Sequence, residues 1–346
     1  IPLRMAPLVL GATVISHLFG ASVGREGTAV QMGGALADQV TRLFQLQRDD
    51  RRVLLMAGIS AGFSSVFGTP LAGAIFGLEV LAIGRMRYDA LLPCFIAAIM
   101  ADKVGLWWGV QHTHYLIPQI PEVTGWGLGA MLIAGALFGL TGKLFAVATH
   151  WLGAQFKRRV SYGPLRPLLG GAVIAAVAWF FHGDRYIGLG IPTILEAFSQ
   201  PLPPYDFLAK MGYTIASLAS GFKGGEVTPL FYIGATLGNA LAPVLQLPFP
   251  LLAGIGFVAV FAGAANTPLA STLMAIELFG SEIGVYAGVA CVMSYLCSGY
   301  ASIYRSQRVG SVKTTGQLPE NTKLVDVDHL RRRQIARQIV ERRKPK

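Results

Sequence analysis

The sequence predicts an all-α polytopic membrane protein with two inverted-topology repeats and broken or re-entrant helices. Three observations predict it. The 346 residues are 53% hydrophobic and only 14% charged, with a mean hydropathy of +0.52, outside the usual range of soluble domains. Apolar segments follow one another along the chain, several too short to cross a bilayer of about 30 Å hydrocarbon. Finally, glycine-rich junctions recur: Gly24-Arg25-Glu26-Gly27-Thr28 is answered by Gly224-Gly225-Glu226-Val227-Thr228, 200 residues later. Thr69-Pro70-Leu71-Ala72 is answered by Thr267-Pro268-Leu269-Ala270 and Glu79 by Glu277, both at an offset of 198. Transporters use such duplicated, broken-helix units to place an ion site at the seam of two halves.

Candidate spanning or entering segments lie at roughly 5–22, 27–44, 52–64, 69–83, 89–108, 124–156, 164–182, 205–219, 228–246, 250–264, 268–280 and 283–298. The pieces at 52–64, 69–83, 250–264 and 268–280 are too short to span. They suit half-helices buried in protein, because lipid cannot satisfy exposed backbone groups. The stretch at 124–156 is too long for an upright span and is expected to tilt or run past the surface. Continuous rather than alternating apolar runs argue against a β-barrel. The transmembrane body is expected over 1–304, with a first repeat at about 1–160 and a second at about 161–304. A basic cytoplasmic tail, partly helical, is expected over 305–346. In the second half Gly188-Leu189-Gly190-Ile191-Pro192 precedes Glu226; its first-half partner would fall before residue 1, so further membrane helices are expected upstream.

The net charge of +11 is uneven: residues 305–346 hold 12 Lys/Arg against 4 Asp/Glu. Other basic groups cluster at Arg48, Arg51 and Arg52, at Arg85 and Arg87, and at Lys157–Arg159, whereas 109–125 has no Lys or Arg. The positive-inside rule puts the clusters and the C-terminus in the cytoplasm, and the cell (inner) membrane is the expected location. Basic charge confined to a tail gives no nucleic-acid surface. Cys94, Cys291 and Cys297 lack paired or metal-ligand spacing and read as small buried hydrophobes. His17, His112, His114, His150 and His182 show no ligand pattern, and His112 and His114 read as solvated loop residues.

Chemistry concentrates at the glycine junctions. Gly24 and Gly27 flank Glu26 ahead of a helix-forming run, and unpaired amides with the positive end of a helix dipole make an anion site. Glu26 can occupy that site itself and leave when protonated, and an ionisable group at membrane depth reads as functional. The second junction offers Thr228 or Glu226 as caps and Pro229 in the first turn. Two opposed helix starts make a positive cradle without a fixed cation, so the natural occupant is an anion. Glu79 and Glu277, near the ends of short helices, read as caps of neighbouring helices or interface pairs. A rival reading takes Gly58-Ile59-Ser60-Ala61-Gly62 as the nucleophile elbow of an intramembrane serine hydrolase, with His17, His150 or His182 as base. Its repeat mate has Val258 where serine should be, and small residues also serve close helix packing.

Gly24–Thr28, the Gly224–Pro229 junction and the order of segments resemble the CLC family of chloride channels and anion/proton exchangers over about residues 1–308. Thr28 in place of the usual proline, and Glu226 in place of an apolar residue, are similar to its fluoride-exporting branch, CLC-F. The resemblance implies a homodimer with one pore per subunit, exporting fluoride in exchange for protons. It implies Glu26 as the gating and proton-transfer glutamate and Glu226 as a second proton-pathway carboxylate. Gly24, Arg25, Gly27, Thr28, Gly225, Val227, Phe261 and Tyr304 would contact the anion. Phe261 would be one of two phenylalanines whose ring edges face fluoride, the other falling upstream of Ile1. Thr228 is similar to a residue that helps hold a structural sodium ion; no other cofactor is implied. Val80 stands where chloride/proton exchangers carry an internal glutamate. A chloride channel or chloride/proton exchanger on the same scaffold is the alternative.

Overall fold

The computed structural model describes residues 1–313 and 322–327. The chain folds into α1 (Met5–Leu18), α2 (Glu26–Leu43), α3 (Arg48–Phe67), α4 (Pro70–Glu79), α5 (Leu91–Trp107), α6 (Gly125–Arg159), α7 (Leu165–Phe180), α8 (Ile191–Ser199), α9 (Asp206–Ser220), α10 (Val227–Leu245), α11 (Phe249–Ala265), α12 (Pro268–Phe279) and α13 (Gly284–Cys297). α1 to α5 are followed in order and similar length by α9 to α13. α6, α7 and α8 stand between the two sets. α6, with 35 residues, is about 52 Å long at 1.5 Å per residue, longer than the hydrocarbon core is thick.

Glycine decides how closely the helices approach. In the first set Gly33 faces Gly58 and Gly62 faces Ala29; a Cβ on Gly58 or Gly62 would stand 2.6 Å from a carbonyl oxygen of α2. In the second set Gly234 faces Gly256 and Gly238 faces Leu252, again backbone against backbone. Such contacts gain dispersion energy where lipid offers no hydrophobic drive between helices. They also account for the glycines around Ser60, whose hydroxyl donates to the Ala74 carbonyl at 3.3 Å. His150 instead points Nε2 at the Ser302 carbonyl, 2.9 Å away.

α4 and α12 each begin with Thr-Pro, the proline occupying the first turn where its missing N–H costs nothing. Their remaining free amides are capped reciprocally. The Glu79 carboxylate accepts from Leu269 and Ala270 at 3.1 and 2.9 Å. The Glu277 carboxylate accepts from Leu71 and Ala72 at 2.9 and 2.8 Å. The capping role expected of these two glutamates is thus met, each half of the chain closing a helix of the other.

Three elements depart from the sequence expectation. α3 is a full 20 residues long, because its first turn, with Asp49 and Asp50 near the positive end of the dipole, is charged and escapes a hydropathy reading. α8 was not expected as a helix; the left-handed Gly190 (φ +73°) and Pro192 start it abruptly. The beginning of the tail is not helical. Arg308–Val309 (β2) pairs in parallel with Ala82–Ile83 (β1) and antiparallel with Thr322–Lys323 (β3). Gln307, buried before β2, donates to the Val80 and Ala265 carbonyls at 2.9 and 3.0 Å. The Lys313 ammonium donates to the Tyr295 carbonyl at 2.6 Å and to Asn266, and lies 3.7 Å from the Tyr295 ring centroid. Burial pushes its pKa down to about 7. The remainder of the expected tail lies outside the described residues.

Candidate functional site

The two glycine junctions meet. Gly24 and Gly225 form an antiparallel β-bridge, the Gly24 amide donating to the Gly225 carbonyl at 2.7 Å and the Gly225 amide to the Gly24 carbonyl at 2.6 Å. α2 and α10 both start within two residues of this joint, so both present their amino ends to it. Glycine is required sterically: a Cβ at Gly225 would stand 2.7 Å from the Gly27 nitrogen, and one at Gly27 3.1 Å from the Gly225 Cα. A Cβ at Gly24 would collide with the Glu26 carboxylate, and one at Gly224 would stand 2.5 Å from Val23.

Glu26 is buried and folded back across the joint. One oxygen, Oε2, accepts from the Arg25 amide at 3.0 Å and from the Thr228 amide at 3.4 Å. A carboxylate therefore takes amides from both helix starts at once, the donor set that a small anion would use. Thr28 turns its hydroxyl away from the joint to Thr13 on α1, 2.6 Å away. Val227, buried, opens α10.

Two cavities approach the joint. The first, of about 300 Å³, is lined by Arg25, Glu26 and Thr228 at its base and by His112, Thr113 and Tyr115 from the loop between α5 and α6. The second, of about 520 Å³, is lined by Glu226 and by four cationic side chains, Lys157, Arg166, Lys223 and Arg305. The two glutamates at matching steps of the repeat thus belong to different cavities, one on each approach to the bridge.

Phe261 and Tyr304 line neither cavity. Phe261 is fully buried and stacks on Phe63 and Phe76, centroids 6.3 and 6.0 Å away, with Phe231 edge-on at 5.6 Å. Tyr304 meets Phe76 edge-on at 6.5 Å. Phe63 and Phe76 also stack on each other, centroids 4.2 Å apart, so the two rings lie on the same side of Phe261. The cluster continues through Phe67 to Phe231 and Phe257, which reach the first cavity. Phe63 stands 198 residues before Phe261, the offset of the α3/α11 repeat, so the duplication itself could have shown this partner.

The donors around Thr228 are amides, its own and that of Arg25, with one carboxylate between them. No group of three or more His, Cys, Asp or Glu side chains placed to hold a metal ion occurs among the described residues.

His112 and Tyr115 were missed as cavity residues. The His112 Nδ1 lies 3.1 Å from the Val66 carbonyl at the end of α3. Tyr115 inserts between Phe198 and Phe257, with centroids 5.3 and 5.2 Å away. The loop that reads as solvated from its polar sequence is thus folded down over the first cavity.

Comparison with known proteins agrees with this architecture. The profile of the family described as "Voltage gated chloride channel" matches residues 1–299. A "Chloride/fluoride channel protein" of Pseudomonas syringae pv. tomato is 65% identical over 333 residues, covering 94% of this chain and 74% of that protein. A "Putative chloride channel protein ClcB-like" of Ralstonia nicotianae is 29% identical over 328 residues, covering 89% and 76%. Among solved structures, a CLC-type fluoride/proton antiporter superposes with a TM-score of 0.86 at 37% identity, covering 89% of this chain and 78% of that one.

Proposed function

Because the chain belongs to the voltage-gated chloride channel (CLC) family, we propose that it carries fluoride out of the cell across the inner membrane in exchange for protons. The single observation that carries this reading is Glu26 lying across two opposed helix starts and accepting amides of both. When ionised, Glu26 holds the site that an anion would occupy. When protonated it loses its charge, its grip on the amides weakens, and the anion takes them. One carboxylate thereby makes anion entry and proton uptake a single exchange. Fluoride, small and strongly hydrated, needs several good donors to replace its water. Amides at both helix starts supply them.

The first cavity is assigned to the outside, since its loop between α5 and α6 carries no Lys or Arg. The second is assigned to the cytoplasm, where its four cations concentrate anions at the entrance. Glu226 takes the inner end of the proton route, replacing the internal glutamate whose place Val80 occupies. Gly24, Gly27 and Gly225 serve by absence of bulk, Arg25 and Thr228 by their amides. Tyr304 is given the inner side of the anion path because Arg305 beside it lines the second cavity. The assembly is proposed as a homodimer with one such path in each subunit.

Support also comes from the fluoride/proton antiporter at 37% identity and from the Pseudomonas relative named for both halides. The experiment is uptake of fluoride and chloride into proteoliposomes with and without a pH gradient. Fluoride movement driven by the gradient is expected. A tenfold preference for chloride would remove the fluoride assignment. Fluoride flux that neither drives nor follows protons would remove the exchange.

A further inference from the structure

The turn at 304–307 carries Tyr304 and Arg305, and its last residue closes it: the Gln307 backbone amide donates to the Tyr304 carbonyl at 3.1 Å. The Gln307 side chain is buried, with both donor hydrogens and its oxygen engaged. Nε2 donates to the Val80 and Ala265 carbonyls at 2.9 and 3.0 Å, and Oε1 accepts from Asn266 Nδ2 at 3.0 Å. Carbonyl oxygens only accept, so this is the orientation of the carboxamide that satisfies all three partners. A glutamate here would set an oxygen against each carbonyl, and an asparagine is one methylene short. Asn266 is satisfied in turn: its Nδ2 also donates to the Ala301 carbonyl at 3.2 Å and its Oδ1 accepts from Lys313.

The two carbonyls mark matching places on two helices. Val80 caps α4 one turn beyond Phe76, its amide donating to the Phe76 carbonyl at 2.9 Å. Ala265 ends α11 four residues beyond Phe261, again one turn. Phe76 and Phe261 stack at 6.0 Å, and Tyr304 meets Phe76 edge-on at 6.5 Å. Gln307 thus grips one helix of each repeat, a turn past the aromatic pair against which Tyr304 rests. The neighbouring main-chain ties each reach one side. The Ile303 amide donates to the Ala264 carbonyl of α11 at 2.9 Å, and the Arg308 amide to Leu81, just past α4, at 3.1 Å. Tyr304 lies within electrostatic reach of both Glu226 and Glu26, so a shift of this turn moves its hydroxyl relative to both glutamates.

We propose that Gln307 is a positioning residue for anion binding: by clamping the ends of α4 and α11 together it fixes the Tyr304 hydroxyl in the inner anion path. This role rests on the reading of Tyr304 as an anion contact. A hydroxyl donates to an anion only when held at hydrogen-bond distance and angle. Gln307 sets that placement from the far end of the turn and touches no anion itself.

The test is a double-mutant cycle in proteoliposomes, with fluoride flux followed against fluoride concentration for wild type, Gln307→Met, Tyr304→Phe and the double variant. Methionine keeps the length of the side chain and removes all three of its hydrogen bonds. Tyr304→Phe should raise the half-saturating fluoride concentration about tenfold, the low end for one lost hydrogen bond to a charged group. Gln307→Met should raise it by a similar factor and leave the maximal flux as in wild type. In the Tyr304→Phe background Gln307→Met should add less than about a further twofold, the scatter between independent effects. An equal rise in both backgrounds would show that Gln307 acts on the bundle at large and overturn the proposal. A wild-type half-saturation in Gln307→Met would overturn it as well. Where Gln307→Met does not fold, Gln307→Asn, too short to reach both carbonyls, carries the same comparison with the same outcomes. Failure of the underlying reading is distinct, since Tyr304→Phe alone would then match wild type.

Discussion

Replacing Glu26 by Gln asks how strongly the gate competes with the anion. The side chain keeps its size and one carbonyl oxygen but loses its charge, imitating the protonated state. The carboxylate accepts two amides, at 3.0 Å from Arg25 and 3.4 Å from Thr228. Hydrogen bonds to a charged group contribute about 1.5–3 kcal/mol each, against about 0.5–1.5 for neutral ones. Because the Thr228 contact is long, the loss over both bonds is set near the low end, about 2 kcal/mol. At 1.4 kcal/mol per decade this is about a thirtyfold gain in apparent anion affinity. Fluoride titration of purified Glu26→Gln by calorimetry measures the gain, and proton flux in proteoliposomes should fall to background. An affinity within a factor of three of wild type, together with intact proton coupling, would refute the competition between Glu26 and the anion.

The reciprocal caps give a second prediction. Glu79→Ala and Glu277→Ala each strip two acceptors from helix amides, and each should destabilise the protein by about 2–4 kcal/mol. The larger loss is expected for Glu79, the more buried of the two; thermal unfolding in detergent followed by tryptophan fluorescence checks the order. Lys313 gives a third. Its pKa falls to about 7 on docking, so between pH 7 and about 10.5 the undocked segment binds more protons, and docking strengthens as pH rises. Hydrogen exchange at 308–313, corrected for intrinsic rate, should slow across that window; protection that weakens would contradict the sign.

Much of the helical frame was legible because apolar runs separated by Gly and Pro survive in any membrane bundle. The joint was legible because duplication marks it twice, at Gly24–Thr28 and Gly224–Thr228. For Glu79 and Glu277 position offered capping or interface pairing, and the structure decides for capping, each carboxylate meeting the bare amides of the other half's short helix. Other features left no local signal. α8 hides behind Gly190 and Pro192, and the two-residue strands β1 to β3 are too short to show alternation. The inward fold of His112 and Tyr115 follows from a distant helix end and a distant aromatic pocket, neither written in the loop. Phe63 was within reach, because the 198-residue offset that pairs Glu79 with Glu277 also pairs Phe63 with Phe261.

The exchanged clasps at Glu79 and Glu277 bear on how the molecule is made. α4 leaves the ribosome nearly 200 residues before α12, and the carboxylate that closes it arrives only with Glu277. Until then its leading amides must be met by water or by the insertion machinery. A chain arrested before residue 277 therefore lacks the acceptor that closes the start of α4.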